Sequence, residues 1–487
     1  MSGLGLVMFA VAIAIMIGTG LPVYAVLLGV AAAFAALGVA LGAFEWHLLT
    51  AVPSRVVGLL EHDLLQALPL YALIGALLNR LPLAGLMHDA GERLFARSAG
   101  SAQLSALGVG ALLAPMNGSV GASLHMLARR VAPALAARGV APAEATATVC
   151  VASTLGIVIP PSLVLLLLGD AMMRAHTEAT NATHAAVRIV NTHDVMRAAL
   201  LPGLAVLVLA LAITAWRARG RARAVLAPLG RAALAQATGA AIVIVVLLGA
   251  VAAGRVYAVE AAATGGLLLL AWGFITRRLD HALLVAVLGD AMTLTGLLMA
   301  LLVGATTFSL VLRGFGTDAL VAAGLHTLDT HPLAMLGAVL AGMVACSFVL
   351  DAFEMIFLVV PLVMPPLLTV VPDAAWVAAL TLLVLQMGFL LPPLGYAVVM
   401  SRLATREPPP LAALARALAP QLIAQALLIA VLVAWPALTH WGANADTGAT
   451  GAPTMSNDEA EKVMEEAARR DSRRAAPDLP ATSEPSR

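Results

Sequence analysis

Gly156-Ile157-Val158-Ile159-Pro160-Pro161 decides how this chain is read, and Gly388-Phe389-Leu390-Leu391-Pro392-Pro393 repeats its form 232 residues later. Both stretches lie inside long apolar runs. Proline removes a backbone donor and clashes with the preceding turn, and a second proline restricts the residue before it. Each run is therefore expected to be a membrane helix broken in the middle. The freed carbonyls cannot face lipid, so they must line a protein-enclosed cavity. Broken helices at corresponding positions of two halves point to the binding site of a transporter.

Composition agrees with a membrane setting. The 487 residues are 61% hydrophobic and 11% charged, with a mean hydropathy of +0.95. This excludes a soluble globular protein and implies a polytopic, all-α membrane protein. Cys150 and Cys346 lie in apolar runs and read as small buried hydrophobes, not as a disulfide or metal pair. No Lys or Arg precedes the first apolar run, so that run does not read as a cleaved signal peptide. No Walker loop, H-E-x-x-H or G-x-S-x-G occurs, so neither ATP drive nor hydrolysis is expected, and nothing points to an enzyme or to a nucleic-acid partner.

Working outward from the first break, apolar runs fall at 4–18, 21–43 and 64–79, with an interfacial segment at 45–62 and a charged stretch at 80–100. Residues 102–138 are apolar at both ends around Pro115-Met116-Asn117-Gly118-Ser119-Val120-Gly121. Each arm is too short for a ~30 Å hydrocarbon core, which predicts a re-entrant hairpin with a polar tip. The broken span at 147–170 follows, then a polar excursion at 173–197 and a span at 198–216. After Arg217, Arg219, Arg221, Arg223 and Arg231 the pattern restarts. Spans fall at 236–253, 257–275 and 297–312, with an interfacial segment at 281–296. A second hairpin at 334–370 carries Leu350-Asp351-Ala352-Phe353-Glu354 at its centre, before the broken span at 376–400 and a last span at 420–440.

A shift of about 232–234 residues superposes the halves, placing Arg80 on Arg313 and Pro160 on Pro392. The chain therefore reads as two repeats, 1–231 and 232–440, each of about five transmembrane helices plus one hairpin, with a tail at 441–487 expected to be disordered. Within the tail, Ser456 reads as the cap of a short helix. An odd number of crossings inverts the second repeat. With the N-terminus outside, the outer loops hold only Arg55, Arg174, Arg188, Arg197, Arg255 and Arg313, while the inner loops hold the remaining arginines up to residue 416, Arg406 among them. The pentapeptide at 168–172 recurs at 288–292 off the repeat spacing and reads as coincidence.

Cotransport of an anion with a cation needs desolvated oxygen ligands for the ion and helix N-termini for the anion, and hairpin tips and helix breaks supply both. The first-half candidates are Asn117, Gly118, Ser119, Gly121 and Ser123 at the tip, with Ser153, Thr154, Gly156 and Pro160 at the break. The second-half candidates are Asp351 and Glu354 at the tip, with Gly388, Pro392 and Gly395 at the break. Structural readings stand beside these. Ser123, Ser153 and Ser162 suit bonds back to their own helices. Gly121 serves equally for packing, Asp351 for helix capping and Glu354 for a scaffold ion pair. His176, His184 and His193 read as surface residues of an outer loop.

At these same residues the chain resembles the large membrane subunit of tripartite ATP-independent periplasmic (TRAP) transporters, over about 4–440. Thr148 to Ser162 is similar to the family's A-S-x-T-x-G-x-I-I-P-P-S run, and Leu165 to Asp170 is similar to the mannitol/chloroaromatic or 2-oxoacid subgroup. Phe348 to Asp351 and Gly388 to Gly395 match the second-half motifs. The resemblance implies an elevator-type secondary transporter in the bacterial inner membrane, with a periplasmic N-terminus. It would be a Na⁺-coupled importer of a small organic acid, working with a small membrane subunit and a periplasmic substrate-binding protein. It further implies one Na⁺ site formed by Ser119, Ser153, Gly156 and Pro160, and a second formed by Asp351, Gly388 and Pro392. Substrate contacts would fall on Asn117, Gly118, Ser119, Asp351 and Glu354. Where the family usually has Thr before the second Pro-Pro, this chain has Leu391, so the second ion site is expected to be the poorer. The alternative is a stand-alone carboxylate or ion transporter of the wider elevator superfamily.

Overall fold

Proline, glycine and polar residues set where each helix ends. The computed structural model describes residues 3–61, 65, 67–183, 190–219, 229–327, 331–405 and 407–440, and these contain helices and no strand. The tail at 441–487 with Ser456, and His62, His184, Arg188, Arg221, Arg223 and Arg406, lie outside the described residues.

Before the basic stretch come α1 (Gly3–Thr19), α2 (Val23–Ala40), α3 (Ala51–Leu60), α4 (Ala67–Arg80), α5 (Leu83–Leu94), α6 (Ser101–Leu113), α7 (Val120–Arg130), α8 (Ala132–Ala137), α9 (Pro142–Val158), α10 (Leu163–Thr183) and α11 (Thr192–Arg217). After it come α12 (Arg231–Ala252), α13 (Ala258–Ile275), α14 (His281–Gly314), α15 (Thr317–His326), α16 (Pro332–Cys346), α17 (Ala352–Glu354), α18 (Val360–Val370), α19 (Ala374–Leu390), α20 (Tyr396–Leu403) and α21 (Leu411–Ala434). Among the described residues seven helices are long and apolar enough to cross a membrane, or up to nine if the bent pairs α4–α5 and α9–α10 each count as one span. The protein is an all-α, multi-pass membrane protein.

The breaks form where the prolines stand. α9 and α10 meet at 41° across Ile159 to Ser162, and both Pro160-Pro161 and Pro392-Pro393 are cis. The 13 residues of α6 and the 11 of α7 reach only about 20 and 17 Å at 1.5 Å per residue, short of a ~30 Å core. They fold as a hairpin about Pro115–Ser119, as do α16 and α17–α18 about Ser347–Asp351. A π turn at Met355–Val359 continues the returning arm of the second hairpin.

Two groups of helices result. In one, α9 and α19 occupy the centre, and nearly every side chain on both is buried, as expected of helices apolar on all faces. They touch where Gln386 Nε2 donates to Thr154 Oγ1 at 3.4 Å, two residues 232 apart in sequence. The first hairpin packs on α9 and the second on α19. The returning arms cross over, α7 lying on α20 and α18 on α10. In the other group α14 packs between α2 and α4, α13 covers α4, and α12 lies on α5 and α13. Apolar side chains such as Ile242, Val246, Leu267, Ile423 and Leu427 point outward, a surface suited to lipid and not to water.

Three expectations are corrected. The interfacial segment at 281–296 and the span at 297–312 form one uninterrupted helix of 34 residues, α14. Neither Gly289 nor Gly296 breaks it, because a lone helical glycine costs only about 1 kcal/mol. The polar excursion at 173–197 begins as helix, since α10 runs on to Thr183, and this buries His176 instead of leaving it on a surface loop. The last span starts earlier than expected, at Leu411, and ends at Ala434, ahead of a 3₁₀ turn at Pro436–His440.

Candidate functional site

Four helix ends converge on one small cavity at the first break. Its walls are Ala114 and Pro115 beyond the end of α6, Gly118, Ser119 and Val120 at the start of α7, Ser153 and Gly156 near the end of α9, and Ser162, Leu163 and Val164 at the start of α10. The cavity is about 10 Å³, room for one water-sized body. Carbonyl-bearing C-termini of α6 and α9 favour a cation, while N–H-bearing N-termini of α7 and α10 favour negative charge. A tip and a break assembled this way offer both kinds of partner within one site.

Each wall has a local cause. Gly118 takes φ +73°, the left-handed conformation that lets the chain reverse at the tip. Ser119 then caps α7, its hydroxyl accepting from Ala122 N–H at 3.1 Å. Ser123 donates back to Ser119 O at 3.0 Å. Ser153 donates to Cys150 O at 2.9 Å, which leaves its lone pairs free for the cavity it lines. Ser162 caps α10, accepting from Leu165 N–H at 3.1 Å. Gly156 brings the break against the tip: a Cβ there would stand 2.6 Å from Ala114 O.

Of the expected first-site residues, Ser119, Ser153 and Gly156 share this cavity, and Gly118 and Ser162 join them. Thr154 does not line it. Its hydroxyl donates to Val151 O at 3.0 Å and accepts from Gln386, so it belongs to the contact between α9 and α19. Pro160 shapes the break without lining the cavity. Asn117 is fully buried behind the tip, with Nδ2 3.6 Å from Met126 Sδ and its backbone carbonyl against Gly75 of α4. The tip's polar character is real, but only part of it faces the break.

The second tip is built on a capping box. Asp351 Oδ1 accepts from Phe353 N–H at 2.7 Å, and Asp351 N–H donates to Glu354 Oε2 at 3.0 Å. Glu354 is buried and Asp351 half-buried. Gly388 meets Ser347, whose hydroxyl a Cβ at 388 would overlap. The second break therefore does have a neighbouring hydroxyl, supplied by the tip and not by the residue before Pro392. Gln386 points elsewhere, accepting from Gln425 Nε2 at 2.9 Å while it donates to Thr154. Gly395 is pinned by the break itself, where a Cβ would come 2.5 Å from Phe389 O. Pro160 and Pro161 are buried, whereas Pro393 and Leu394 are exposed, so the two breaks differ in access.

Ser347 and Tyr396 are the residues that the sequence did not single out. Tyr396 opens α20, packs its ring 5.5 Å from that of Phe389, and holds its hydroxyl against Gly121 at the start of α7. One side chain thus joins the second break to the first tip. The crossover of returning arms puts it there, and no local motif announces it.

A cleft with one charged wall opens beside the second hairpin, with Arg55, Asp170, Arg174, Glu178 and Arg313 facing Ile356, Phe357 and Pro361. Arg174 pairs with Asp170 at 3.1 Å, and Arg313 of α14 pairs with Glu178 of α10 at 3.3 Å. Arg80, the expected counterpart of Arg313, instead holds Asp290 at 2.6 Å. The two aspartates of the recurring pentapeptide therefore have unlike partners.

Comparison with known proteins completes the picture. Residues 6–444 match the family described as "Tripartite ATP-independent periplasmic transporter, DctM component". No curated protein matches the chain. Among solved structures the chain is similar to the Alcanivorax borkumensis YdaH transporter, whose crystal structure is described as revealing an unusual topology. That match has a TM-score of 0.53 at 17% identity and covers 80% of this chain and 88% of that one, a likeness of fold alone. With paired hairpins and broken helices in a multi-pass membrane protein, and a family match over nearly the whole chain, this protein belongs to the DctM family, the large membrane component of tripartite ATP-independent periplasmic transporters.

Proposed function

We propose that this chain imports a small organic acid by Na⁺ coupling, receiving it from a periplasmic binding protein and working with a small membrane subunit in the inner membrane, N-terminus outside. The observation that carries the reading is the cavity where Ser119, Ser153, Gly156 and Ser162 meet between tip and break. Small size, hydroxyl and carbonyl donors and a helix C-terminus suit a hard monovalent cation. The cation offsets the charge of a carboxylate that sits at the neighbouring helix N-termini. In the cleft beside the second hairpin, Asp170 and Glu178 offset Arg174 and Arg313, and Arg55 adds one positive charge on the route of an arriving anion. In this reading the chain consists of two inverted repeats, 1–231 and 232–440. The group centred on α9 and α19 carries ion and substrate as an elevator against the group built on α2, α4 and α14.

The test is reconstitution in proteoliposomes with both partners. Uptake of the acid should require an inward Na⁺ gradient, and uptake indifferent to Na⁺ would refute the coupling. Efficient uptake by this chain without its partners would favour a stand-alone carboxylate transporter.

A further inference from the structure

An apolar groove of about 400 Å³, separate from the ion cavity, runs between α12, α13 and α4 and reaches the first hairpin tip at Met116. Ala235, Gly239, Val243 and Leu247 of α12 form one wall, a spacing of one helical face. Ala235 to Leu247 spans about 18 Å along the helix. That is close to one leaflet, half of a ~30 Å hydrocarbon core. The deep end of the groove is Met116 of the first hairpin tip, whose methyl group would stand 3.2 Å from a Cβ on Gly265.

The shallow end is chemically different. Arg231 begins α12 one turn before Ala235, on the same face as the groove wall. α13 runs back alongside α12 after a short loop, so its C-terminal end lies at the same end of the pair as Arg231. There Trp272 lines the groove, with the Arg278 guanidinium 5.7 Å from its ring centroid. The Trp272 indole N–H is buried and has no hydrogen-bond partner among the described residues. Two cations at the mouth of an apolar trough one leaflet deep match one class of ligand: a phospholipid with an anionic headgroup. On the orientation that the arginine distribution favours, this end faces the cytoplasmic leaflet, where such lipids concentrate.

We infer that an anionic phospholipid occupies this groove, its phosphate held by Arg231 and Arg278 and one acyl chain lying along α12 as far as Met116. The chain end then abuts the hairpin tip whose next residues, Gly118 and Ser119, line the ion cavity. Lipid in this groove therefore bears on where that tip can sit.

The test uses the full chain in phosphatidylcholine nanodiscs. These are doped with phosphatidylglycerol or phosphatidylcholine carrying the same diazirine-bearing acyl chain, and labelled peptides are mapped after photolysis. The phosphatidylglycerol probe should label α12 and α13 at least fivefold more than the phosphatidylcholine probe. A Cβ on Gly239 meets nothing within 4 Å, so Gly239→Phe fills the groove without a clash and should cut that labelling at least fivefold. Arg231→Gln with Arg278→Gln should erase the headgroup preference while leaving labelling by both probes, and this arm stands even if Gly239→Phe fails to fold. Equal labelling by the two probes in the unmodified chain, or labelling untouched by Gly239→Phe, would overturn the assignment. So would loss of labelling on co-purification with the small membrane subunit, which would give the groove to a protein helix.

Discussion

Gly156→Ala is expected to disable the first break, whereas Gly388→Ala should be tolerated far better. At position 156 an added Cβ would lie 2.6 Å from the Ala114 carbonyl oxygen, 2.7 Å from its carbonyl carbon and 3.0 Å from its Cβ. Ordinary carbon contacts need ~3.5–4.0 Å, so tip and break must part by about 1 Å. Overpacking a core costs about 1–3 kcal/mol, and a backbone neighbour that cannot rotate away puts this case near the upper end. If half of that loss falls on ion binding, about 1.4 kcal/mol corresponds to a tenfold rise in the Na⁺ needed for half-maximal uptake. At position 388 the clash is with the Ser347 hydroxyl, with Ser347 Cβ at 3.0 Å. That hydroxyl can rotate by giving up its 2.7 Å bond to Val344 O, a loss of about 1 kcal/mol. Adding Ser347→Ala to Gly388→Ala should recover most of the loss, but no replacement of Ala114 removes a backbone carbonyl. Thermal melting of each purified variant, followed by Na⁺ titration of uptake in proteoliposomes, separates the two cases. The reasoning fails if Gly156→Ala melts and titrates like the parent, or if Gly388→Ala is the worse of the two.

Other outcomes follow from the hydrogen-bond geometry. Ser153→Ala should raise the half-saturating Na⁺ concentration severalfold, while Thr154→Val, which loses the bonds to Val151 O and Gln386 but none at the cavity, should leave it within about threefold and instead lower the melting temperature. Gln386→Leu should also act through stability, at about 1–3 kcal/mol, because it leaves one buried N–H of Gln425 without its acceptor and removes the bond to Thr154. Asp351→Asn keeps a capable N-cap and should melt like the parent, whereas Asp351→Ala should lose about 1 kcal/mol. Loss of Na⁺-driven uptake in Asp351→Asn would show that the charge matters beyond the cap, and full uptake would assign Asp351 to capping alone. Breaking the half-exposed pair Arg313–Glu178 with Glu178→Gln should shift stability by less than about 1 kcal/mol in a chemical denaturation series.

Much of this was legible because membranes leave few options. Apolar run length gave the spans, and two arms too short to cross gave the hairpins. A Gly followed by Pro-Pro gave each break, at the residue where the helix stops. Long-range choices were less visible. Sequence could not say that Gly289 and Gly296 would be absorbed into α14, or that a polar run would stay helical to Thr183 and bury His176. In both places packing against neighbours outweighs local preference. Leu391 before Pro392 suggested a second break without a hydroxyl, yet Ser347 approaches it from the facing tip.

By itself the sequence determined that this chain spans a membrane, that its helices break at two matching places, and that polar tips accompany the breaks. Those are local facts, since proline, glycine and hydrocarbon thickness act on the residues where they occur. Only the tertiary structure decided which groups meet at a break. Ser119, Ser153, Gly156 and Ser162 surround one cavity, Thr154 turns instead to Gln386, and Asn117 is packed behind the tip. On a helix, residues one apart face about 100° apart, so Ser153 and Thr154 look alike in a motif but cannot both face the cavity. Which of them does is set by where α6, α7 and α19 pack around α9, and no spacing within the Gly156 to Pro161 stretch records that.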